Sequence, residues 1–192
     1  NIIKHFNEGK ILSLISDAGT PLLSDPGRIL VNECVKNRIN VIPVPGTSSI
    51  TSAVSVSGFN DQFLFHGFLP KKENELKTLL SHLSQNEYTQ VFFIPSKKIN
   101  FYIDFFKRYF SGRKILIAKE ITKIHETYLR EDVDDLKTFK KPIKGELTIV
   151  ISEKKIDKKI SHFLSESDKK NIHKMINKLS VKEIVSLISN NN

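Results

Sequence analysis

Two short turns contain polar side chains that could bind a ligand. The first, Ser16–Pro21, combines a carboxylate, hydroxyls and a glycine. Asp17 can accept hydrogen bonds from hydroxyl groups or an amine, Thr20 can donate and accept, and Gly19 permits a tight turn that lets a ligand approach the main chain. This combination suits a polar, nucleoside-like ligand. The alternative is an ordinary turn between a strand and a helix, with Asp17 as a cap.

The second turn, Pro45–Ser49, is rich in hydroxyl groups. Its Ser48 and Ser49, with the free N–H groups of a helix start, could bind a carboxylate or a ribose. The alternative is helix capping by Ser or Thr. Neither turn has the glycine spacing of a dinucleotide-binding or Walker loop. No spacing of His, Cys and carboxylates indicates a metal site.

Apolar segments of strand length precede both turns, at residues 11–15 and 39–44. Helical patterns follow them: Asp25 is the expected N-cap of a helix over residues 26–37, and a second helix runs to about Ser57. The expected buried side of the first helix comprises Ile29, Leu30, Cys34 and Val35. Alternating strands and helices predict an α/β sheet, in which ligands bind beyond the carboxyl ends of the strands.

The rest of the chain continues the alternation. Further strands are predicted at residues 62–68, 90–95, 114–119, 124–130 and 146–152, and helices at 73–85, 97–110 and 132–139. The helical spacing of Phe101, Phe105 and Tyr109 favours a core face over an RNA-stacking surface. A lysine-rich helical tail is predicted from Asp157, with a capping box of Ser180 and Glu183.

Five segments occur in an order and spacing typical of one family. They are SDAGTPLLSDPG (16–27), VPGTSS (44–49), SGFNDQFLFHGFLPKK (57–72), IAKEITK (117–123) and KGELTIV (144–150). Together they resemble the ribosomal RNA small subunit methyltransferase I family of the tetrapyrrole methylase fold group. The resemblance runs from about residue 3 to residue 152.

The resemblance implies a fold of two α/β domains of the tetrapyrrole methylase type, with the cofactor cleft between them. We therefore expect the remainder of an N-terminal domain at residues 1–68, a C-terminal domain at 69–153 and a helical tail at 154–192. The family's first strand would precede Asn1. The absence of an initiator Met and the three final asparagines also lead us to expect a longer natural chain. The family is usually homodimeric.

The implied activity is methyl transfer from S-adenosylmethionine to the ribose 2′-hydroxyl of a cytidine in small-subunit (16S) ribosomal RNA. Carried over by position, the cofactor contacts are Asp17, Ala18, Gly19, Thr20, Ser48, Ser49, Ile94, Pro95, Ala118 and Leu147. The family usually has Tyr-Glu-Ser after the strand near residue 93, whereas this chain has Ile94-Pro95-Ser96. The acidic side chain at that position is therefore lost.

Catalysis of such a transfer needs alignment of the 2′-oxygen with the methyl group, helped by a base or a cation. We expect Glu120 to orient the hydroxyl or accept its proton, and Lys123 to contact RNA. The alternative for each is a surface ion pair. His66, in an apolar strand, is expected to be packed with one hydrogen bond. His125 is the better of the two histidines as a candidate base.

Charge favours a polyanionic partner for the later part of the chain. Residues 1–70 carry five basic and five acidic side chains, so the net charge of +9 lies wholly in residues 71–192. A polyanion would be attracted to this part of the chain, which fits the partner that the resemblance implies, ribosomal RNA or the small ribosomal subunit. A lysine-rich solvated surface is the alternative. The single cysteine excludes an internal disulfide and fits a cytoplasmic setting. No apolar run reaches the roughly 20 residues that span a bilayer.

Two rival functions remain open at this point. A methyltransferase acting on a porphyrinoid would share the fold and the cofactor. A non-catalytic, RNA-binding fragment would bind RNA without binding the cofactor.

Overall fold

The computed structural model describes residues 2–154, 166–176 and 178–189. The chain forms two compact units, Asn1–Lys155 and Ile156–Asn192. The first unit contains helices α1 (Ile2–Asn7), α2 (Arg28–Lys36), α3 (Ser49–Ser55), α4 (Glu73–Leu83) and α5 (Ile99–Phe110). Its strands are β1 (Phe63–Phe68), β2 (Thr89–Pro95), β3 (Lys114–Lys119), β4 (Thr127–Asp132) and β5 (Glu146–Ile151). The predicted α/β class is confirmed.

The five strands form one mixed sheet in the order β1-β2-β5-β3-β4. β1 and β2 are parallel, while β5 runs antiparallel to its neighbours β2 and β3, and β4 runs antiparallel to β3. The carboxyl ends of β2 and β3 therefore lie at the same edge as the start of β5. This edge is where ligands are expected in such sheets.

Side chains alternate between the two faces of the sheet, as strand geometry requires. On one face, Phe92 and Ile94 pack with the buried residues of α4 and α5. On the other face, Val91 and Val150 pack with Ile50 of α3. The sheet thus has a larger core beneath α4 and α5 and a smaller one beneath α3.

The bounds of most helices and strands after residue 60 match the predicted bounds to within one or two residues. The apolar side of each of these elements packs against another element of the sheet region. The aromatic stripe of α5 differs: the fully buried rings are Tyr102, Phe106 and Phe110, whereas Phe101 is 38% exposed and Phe105 and Tyr109 are half-buried. The predicted short helix at 132–139 is only a 3₁₀ turn, Val133–Asp135.

The strands predicted at residues 11–15 and 39–44 do not form within the described structure. Both segments lack regular secondary structure, and their apolar side chains face solvent: Ile11 is 95% exposed, Ile15 86% and Val44 88%. A strand requires a hydrogen-bonded neighbour, and neither segment pairs with a described strand. Local apolar pattern alone was insufficient here.

Helix α2 begins later than predicted. Its N-cap is Gly27, with φ of 130°, and not Asp25. This positive φ favours glycine, because residues with a side chain are strained in such a conformation. Of the expected buried side, Cys34 is buried, whereas Ile29 and Val35 are 81% and 63% exposed.

The position of β1 bears on the domain division. Phe63–Phe68, assigned above to the N-terminal domain, pairs with Thr89–Pro95 and so lies in the sheet of the later strands. A boundary that follows this sheet would fall before residue 63. The three-part division is otherwise still a prediction.

Arg113 is a buried cation that the sequence analysis did not single out. Only 4% exposed, it donates from Nη2 to the carbonyl oxygens of Ser84 (2.7 Å) and Asn86 (2.9 Å), and from Nη1 to that of Ser152 (3.3 Å). Its guanidinium also lies 5.1 Å from the ring centroid of Phe110. These hydrogen bonds connect the segment after α4 with the segment after β5.

The second unit contains α6 (Glu166–Met175) and α7 (Val181–Ser189). The predicted capping box is confirmed: the Ser180 N–H donates to Glu183 Oε2 (2.9 Å), and the Glu183 N–H donates to Ser180 Oγ (3.4 Å). The predicted tail start at Asp157 lies outside the described residues. Among the described helices, none combines the length and apolar character needed to cross a bilayer.

Candidate functional site

A cavity of about 410 Å³ lies in the first unit, where the two hydroxyl-rich turns meet the ligand-binding edge of the sheet. Its volume falls within the range of small-molecule sites. It is lined by all twelve residues singled out from the sequence: Asp17, Ala18, Gly19, Thr20, Ser48, Ser49, Ile94, Pro95, Ala118, Glu120, Lys123 and Leu147. Residues from distant parts of the sequence therefore share one site.

The two turns are joined by a hydrogen bond. Thr20 Oγ1 donates to the carbonyl oxygen of Thr47 (3.1 Å), and Ser16 Oγ closes its own turn by donating to the carbonyl oxygen of Gly19 (3.1 Å). Gly19 has φ of 74°, and a β-carbon there would approach the same Thr47 carbonyl. No hydrogen bond joins the exposed Asp17 carboxylate to a described residue, so it is not a cap.

Ser48 is the N-cap of α3, yet its side chain makes no capping hydrogen bond. Its backbone carbonyl instead accepts from the Ser52 N–H (3.0 Å) and from Thr51 Oγ1 (3.2 Å). Ile50 is buried against the sheet and fixes the start of α3. The capping alternative is therefore not what the Ser48 hydroxyl does here.

The sheet provides an apolar wall to the cavity. Ile94 lies opposite Leu147 in the β2–β5 ladder, and Ala118 lies opposite Thr148 in the β3–β5 ladder. These residues come together because the carboxyl ends of β2 and β3 flank the start of β5. The cavity thus combines polar turns with an apolar, rigid edge.

A charged cluster of Glu120, Lys123 and Glu146 lies at the same edge. Lys123 Nζ contacts Glu120 Oε1 (3.2 Å) and Glu146 Oε2 (2.8 Å), while Glu120 Oε1 also accepts from the Glu146 N–H (2.9 Å). Glu120 and Thr122 have positive φ, 53° and 69°, which is uncommon for non-glycine residues. The loop after β3 is therefore held in an unusual conformation.

The pKa values of the cluster shift in the directions that its contacts require. The pKa of Glu120 is lowered, first by the hydrogen bond from the Glu146 N–H and then by Lys123. The pKa of Lys123 is raised, first by its hydrogen bond to Glu146 and then by that to Glu120. Both side chains therefore remain ionised at neutral pH, and Glu120 is a weak proton acceptor.

The structure also brings to the cavity residues that the sequence analysis missed, among them the aromatic residues Phe68 and Phe93. The Phe68 ring is 61% exposed, and the residue lines the cavity together with Leu23, Ser24 and Gly145. The available signal was Gly67, because a glycine inside a strand pattern often marks a bulge or a close approach of another chain segment.

The two histidines differ from each other. His66 Nε2 lies 2.6 Å from Gln90 Oε1, and its ring stacks on Phe92, so the expected packed role is confirmed. Burial lowers the pKa of His66. His125 is exposed and does not line the cavity. Among the described residues, no group of three or more His, Cys, Asp or Glu side chains could hold a metal ion.

Known proteins resemble this chain over most of its length. Residues 2–137 match the family described as Tetrapyrrole (Corrin/Porphyrin) Methylases. The protein named Ribosomal RNA small subunit methyltransferase I from Thermotoga maritima is 40% identical over 157 residues, covering 80% of this chain and 70% of the relative. Those of Pasteurella multocida and Rickettsia prowazekii are 35% and 38% identical over 80% and 79% of this chain.

The chain spans 57% and 55% of these last two relatives, so it corresponds to part of their length. Among solved structures, the methyltransferase CobJ superposes with a TM-score of 0.58 at 16% identity, over 79% of this chain and 68% of that one. This similarity shows the fold alone. By sequence and fold, the chain belongs to the tetrapyrrole methylase family and, within it, to the ribosomal RNA small subunit methyltransferase I group.

Proposed function

We propose that this chain transfers a methyl group from S-adenosylmethionine to the ribose 2′-hydroxyl of a cytidine in small-subunit ribosomal RNA. The observation that carries the proposal is the shared cavity, in which the turns at 16–21 and 45–49 meet the ends of β2 and β3. Relatives named as ribosomal RNA methyltransferases support the substrate class.

The lining of the cavity fits the cofactor chemically. S-adenosylmethionine has a charged amino acid end, ribose hydroxyls and a flat adenine, and it supplies a methyl group bound to a sulfonium. The Asp17 carboxylate and the hydroxyls of Thr20 and Ser48 suit its polar groups. The half-buried ring of Phe93, which also lines the cavity, suits the flat adenine, whereas Ile94 and Leu147 are buried in the larger core and support that wall from behind. The volume of about 410 Å³ accommodates one molecule of that size class.

Methyl transfer of this kind depends mainly on alignment of the reacting atoms. Of the two roles expected for Glu120, orientation is the better supported, because its lowered pKa makes it a weak base. Lys123 is bound by two carboxylates, so contact with an RNA phosphate requires that it leave at least one of them. We therefore propose that the cluster shapes the loop that holds the ribose.

Exposed lysines close to the site in the sequence support an RNA partner. Lys137, Lys140, Lys141 and Lys144 lie between β4 and β5, are exposed and form no ion pair with a described residue. Asn100 holds this segment: its Oδ1 accepts from the Phe139 N–H (2.9 Å), and its Nδ2 donates to the Phe139 carbonyl (3.0 Å). Such lysines suit the phosphates of RNA.

The test is transfer of a labelled methyl group to small ribosomal subunits that lack the modification. Because 2′-O-methylation blocks alkaline cleavage, the label should appear in an alkali-resistant dinucleotide whose first residue is cytidine. Label on a base would contradict the ribose assignment. Cofactor binding without transfer to RNA would favour another substrate.

Glu120→Gln should lower turnover if orientation by the carboxylate matters. Glu33→Gln is the matched control, since Glu33 also has a lysine partner, Lys36, at 2.7 Å but lies outside the cavity. Normal turnover of Glu120→Gln would remove Glu120 from the mechanism.

The family description also covers corrin and porphyrin methylases, so a porphyrinoid substrate is the second candidate. Saturable binding of uroporphyrinogen with no methylation of RNA would favour it. RNA binding without cofactor binding would instead favour a non-catalytic fragment. The expected homodimer and cytoplasmic location remain predictions, of which sedimentation equilibrium tests the first.

A further inference from the structure

Phe68 is a large apolar side chain that the fold leaves exposed in the cavity. Its ring is 61% exposed, whereas Phe65, three residues earlier, packs against the smaller core. Ser24 and Asp25, which follow the first turn in the sequence, also line the cavity. An exposed phenyl ring in such a site forgoes much of the stabilisation that burial would provide.

A bulge in β1 is what brings Phe68 to this face. Phe65 pairs with Val91, but the next pair in register is Phe68 with Phe93, so β1 advances three residues while β2 advances two. Gly67 has φ of 69° at this point. Bulges of this kind re-aim side chains beside functional sites.

The effect of the bulge follows from the alternation of the strand. His66 stacks on Phe92 on the face of α4 and α5, so strict alternation would send Phe68 to that same face. The extra residue instead sets Phe68 beside Phe93, with ring centroids 5.4 Å apart. Leu69 then takes the buried position in the larger core.

Ser24, in the segment that follows the first turn, approaches the bulge closely at Gly67. A β-carbon at Gly67 would lie 3.3 Å from Ser24 Oγ, tighter than an ordinary contact. Ser24 itself has a positive φ, 71°. The bulge and this segment thus meet closely, with the Phe68 ring beside them in the cavity.

We propose that Phe68 is a stacking platform for a nucleobase. Resting on the proposed function, this inference adds a ligand contact that the sequence motifs did not suggest. A flat ring face suits a flat heteroaromatic ring, while the neighbouring hydroxyl and carboxylate groups suit a sugar or ring nitrogens. Two such rings take part in the reaction: the adenine of the cofactor and the base of the target nucleotide.

Phe68→Leu keeps an apolar side chain but removes the aromatic ring, whereas Phe68→Tyr keeps the ring. Phe101→Leu is the matched control, because Phe101 is also an exposed phenylalanine, at 38%, but lies outside the cavity. Since the Phe68 ring is mostly exposed, all three variants should keep the wild-type melting temperature. S-adenosylhomocysteine is titrated by calorimetry, and KM for small ribosomal subunits is measured separately.

Loss of S-adenosylhomocysteine affinity in Phe68→Leu, on the order of tenfold, with Phe68→Tyr close to wild type, supports stacking on adenine. Unchanged affinity with a similarly raised KM for ribosomal subunits, at constant kcat, supports stacking on the target base. If wild type binds and methylates but Phe68→Leu matches Phe101→Leu in both assays, the platform is wrong and the proposed function stands. If wild type binds no S-adenosylhomocysteine and transfers no methyl group, both fail.

Discussion

Two stretches of the chain line the cavity with very different construction. Between residues 63 and 151, a five-stranded sheet has packed cores on both faces. In residues 10–48, all of them described, Cys34 is the one buried side chain, and the turns are held by single hydrogen bonds such as Thr20 to Thr47. Hydrogen bonds within and between the turns, with one packed anchor at Ile50, therefore place this wall of the cavity, whereas the sheet wall is held by covered apolar faces.

Truncating one apolar side chain in each stretch should give the largest difference in unfolding free energy. Phe106→Ala removes a fully buried ring between α5 and the sheet and should cost about 3–5 kcal/mol of unfolding free energy. Ile15→Ala, at a side chain 86% exposed, should cost less than about 0.5 kcal/mol. Urea denaturation measures both. A large loss in Ile15→Ala would mean that this stretch is packed after all.

A second prediction concerns the buried cation of the sheet region. Arg113→Met leaves the three carbonyls that Arg113 serves without their donor and should cost about 2–4 kcal/mol. Arg130→Met is the control: Arg130 also donates to a carbonyl, that of Val56, but is exposed, so about 1 kcal/mol or less is expected. Equal losses would show that burial adds nothing to the Arg113 contacts.

Gly145, which lines the cavity, and Gly112, which lies outside it, differ in the space available for a side chain. Gly112 and Gly145 both have positive φ, 77° and 97°, so alanine should cost each about 1 kcal/mol through backbone strain. A β-carbon at Gly112 meets nothing within 4 Å, whereas one at Gly145 would overlap the Glu120 carboxyl group. Gly145→Ala should therefore lose more stability and also weaken cofactor binding. Matching losses in denaturation and calorimetry would show that Glu120 moves aside freely.

The smallest effect is the pH dependence of the Glu120 contacts. Because its folded pKa lies below the ordinary 4.5, the ionised carboxylate contributes stability above that value, and this contribution fades as pH falls through the lowered pKa. The stability difference between wild type and Glu120→Gln should therefore be full at pH 6 and shrink as pH falls below 4.5. Thermal melts across this range measure the difference. A difference that persists unchanged at low pH would exclude the ionised carboxylate as its source.

The sequence predicted the later helices and strands well, because their apolar residues recur on the face that packs in a core. Within α4 and α5, apolar residues recur at helical spacing, and each buried stripe meets the sheet. The same type of signal at residues 11–15 and 39–44 was misleading, because pairing depends on a neighbouring strand, which a local pattern does not encode. The two turns nevertheless line the predicted site, because their hydroxyl and carboxylate groups are available to a ligand whether or not the preceding segments form strands.

Other features of the site were beyond any local pattern. Gly67 could have indicated a bulge, but the turning of Phe68 toward the cavity is visible only once β1 is aligned with β2. The ties between Glu120, Lys123 and Glu146 depend on two loops meeting at the sheet edge. Arg113 could not be distinguished from a surface arginine, because its three carbonyl partners come from two segments that are distant from it in the sequence, residues 84–86 and Ser152.

The central claim is that the turns and the sheet edge bind one molecule of S-adenosylmethionine together. The most direct test is to titrate the isotopically labelled chain with S-adenosylhomocysteine and follow its backbone amide resonances. Saturable shifts should occur both at the turns, residues 17–20 and 48–49, and at the sheet, residues 94, 118 and 147. Shifts confined to one of these regions, or none at saturating ligand, would contradict a shared cofactor site.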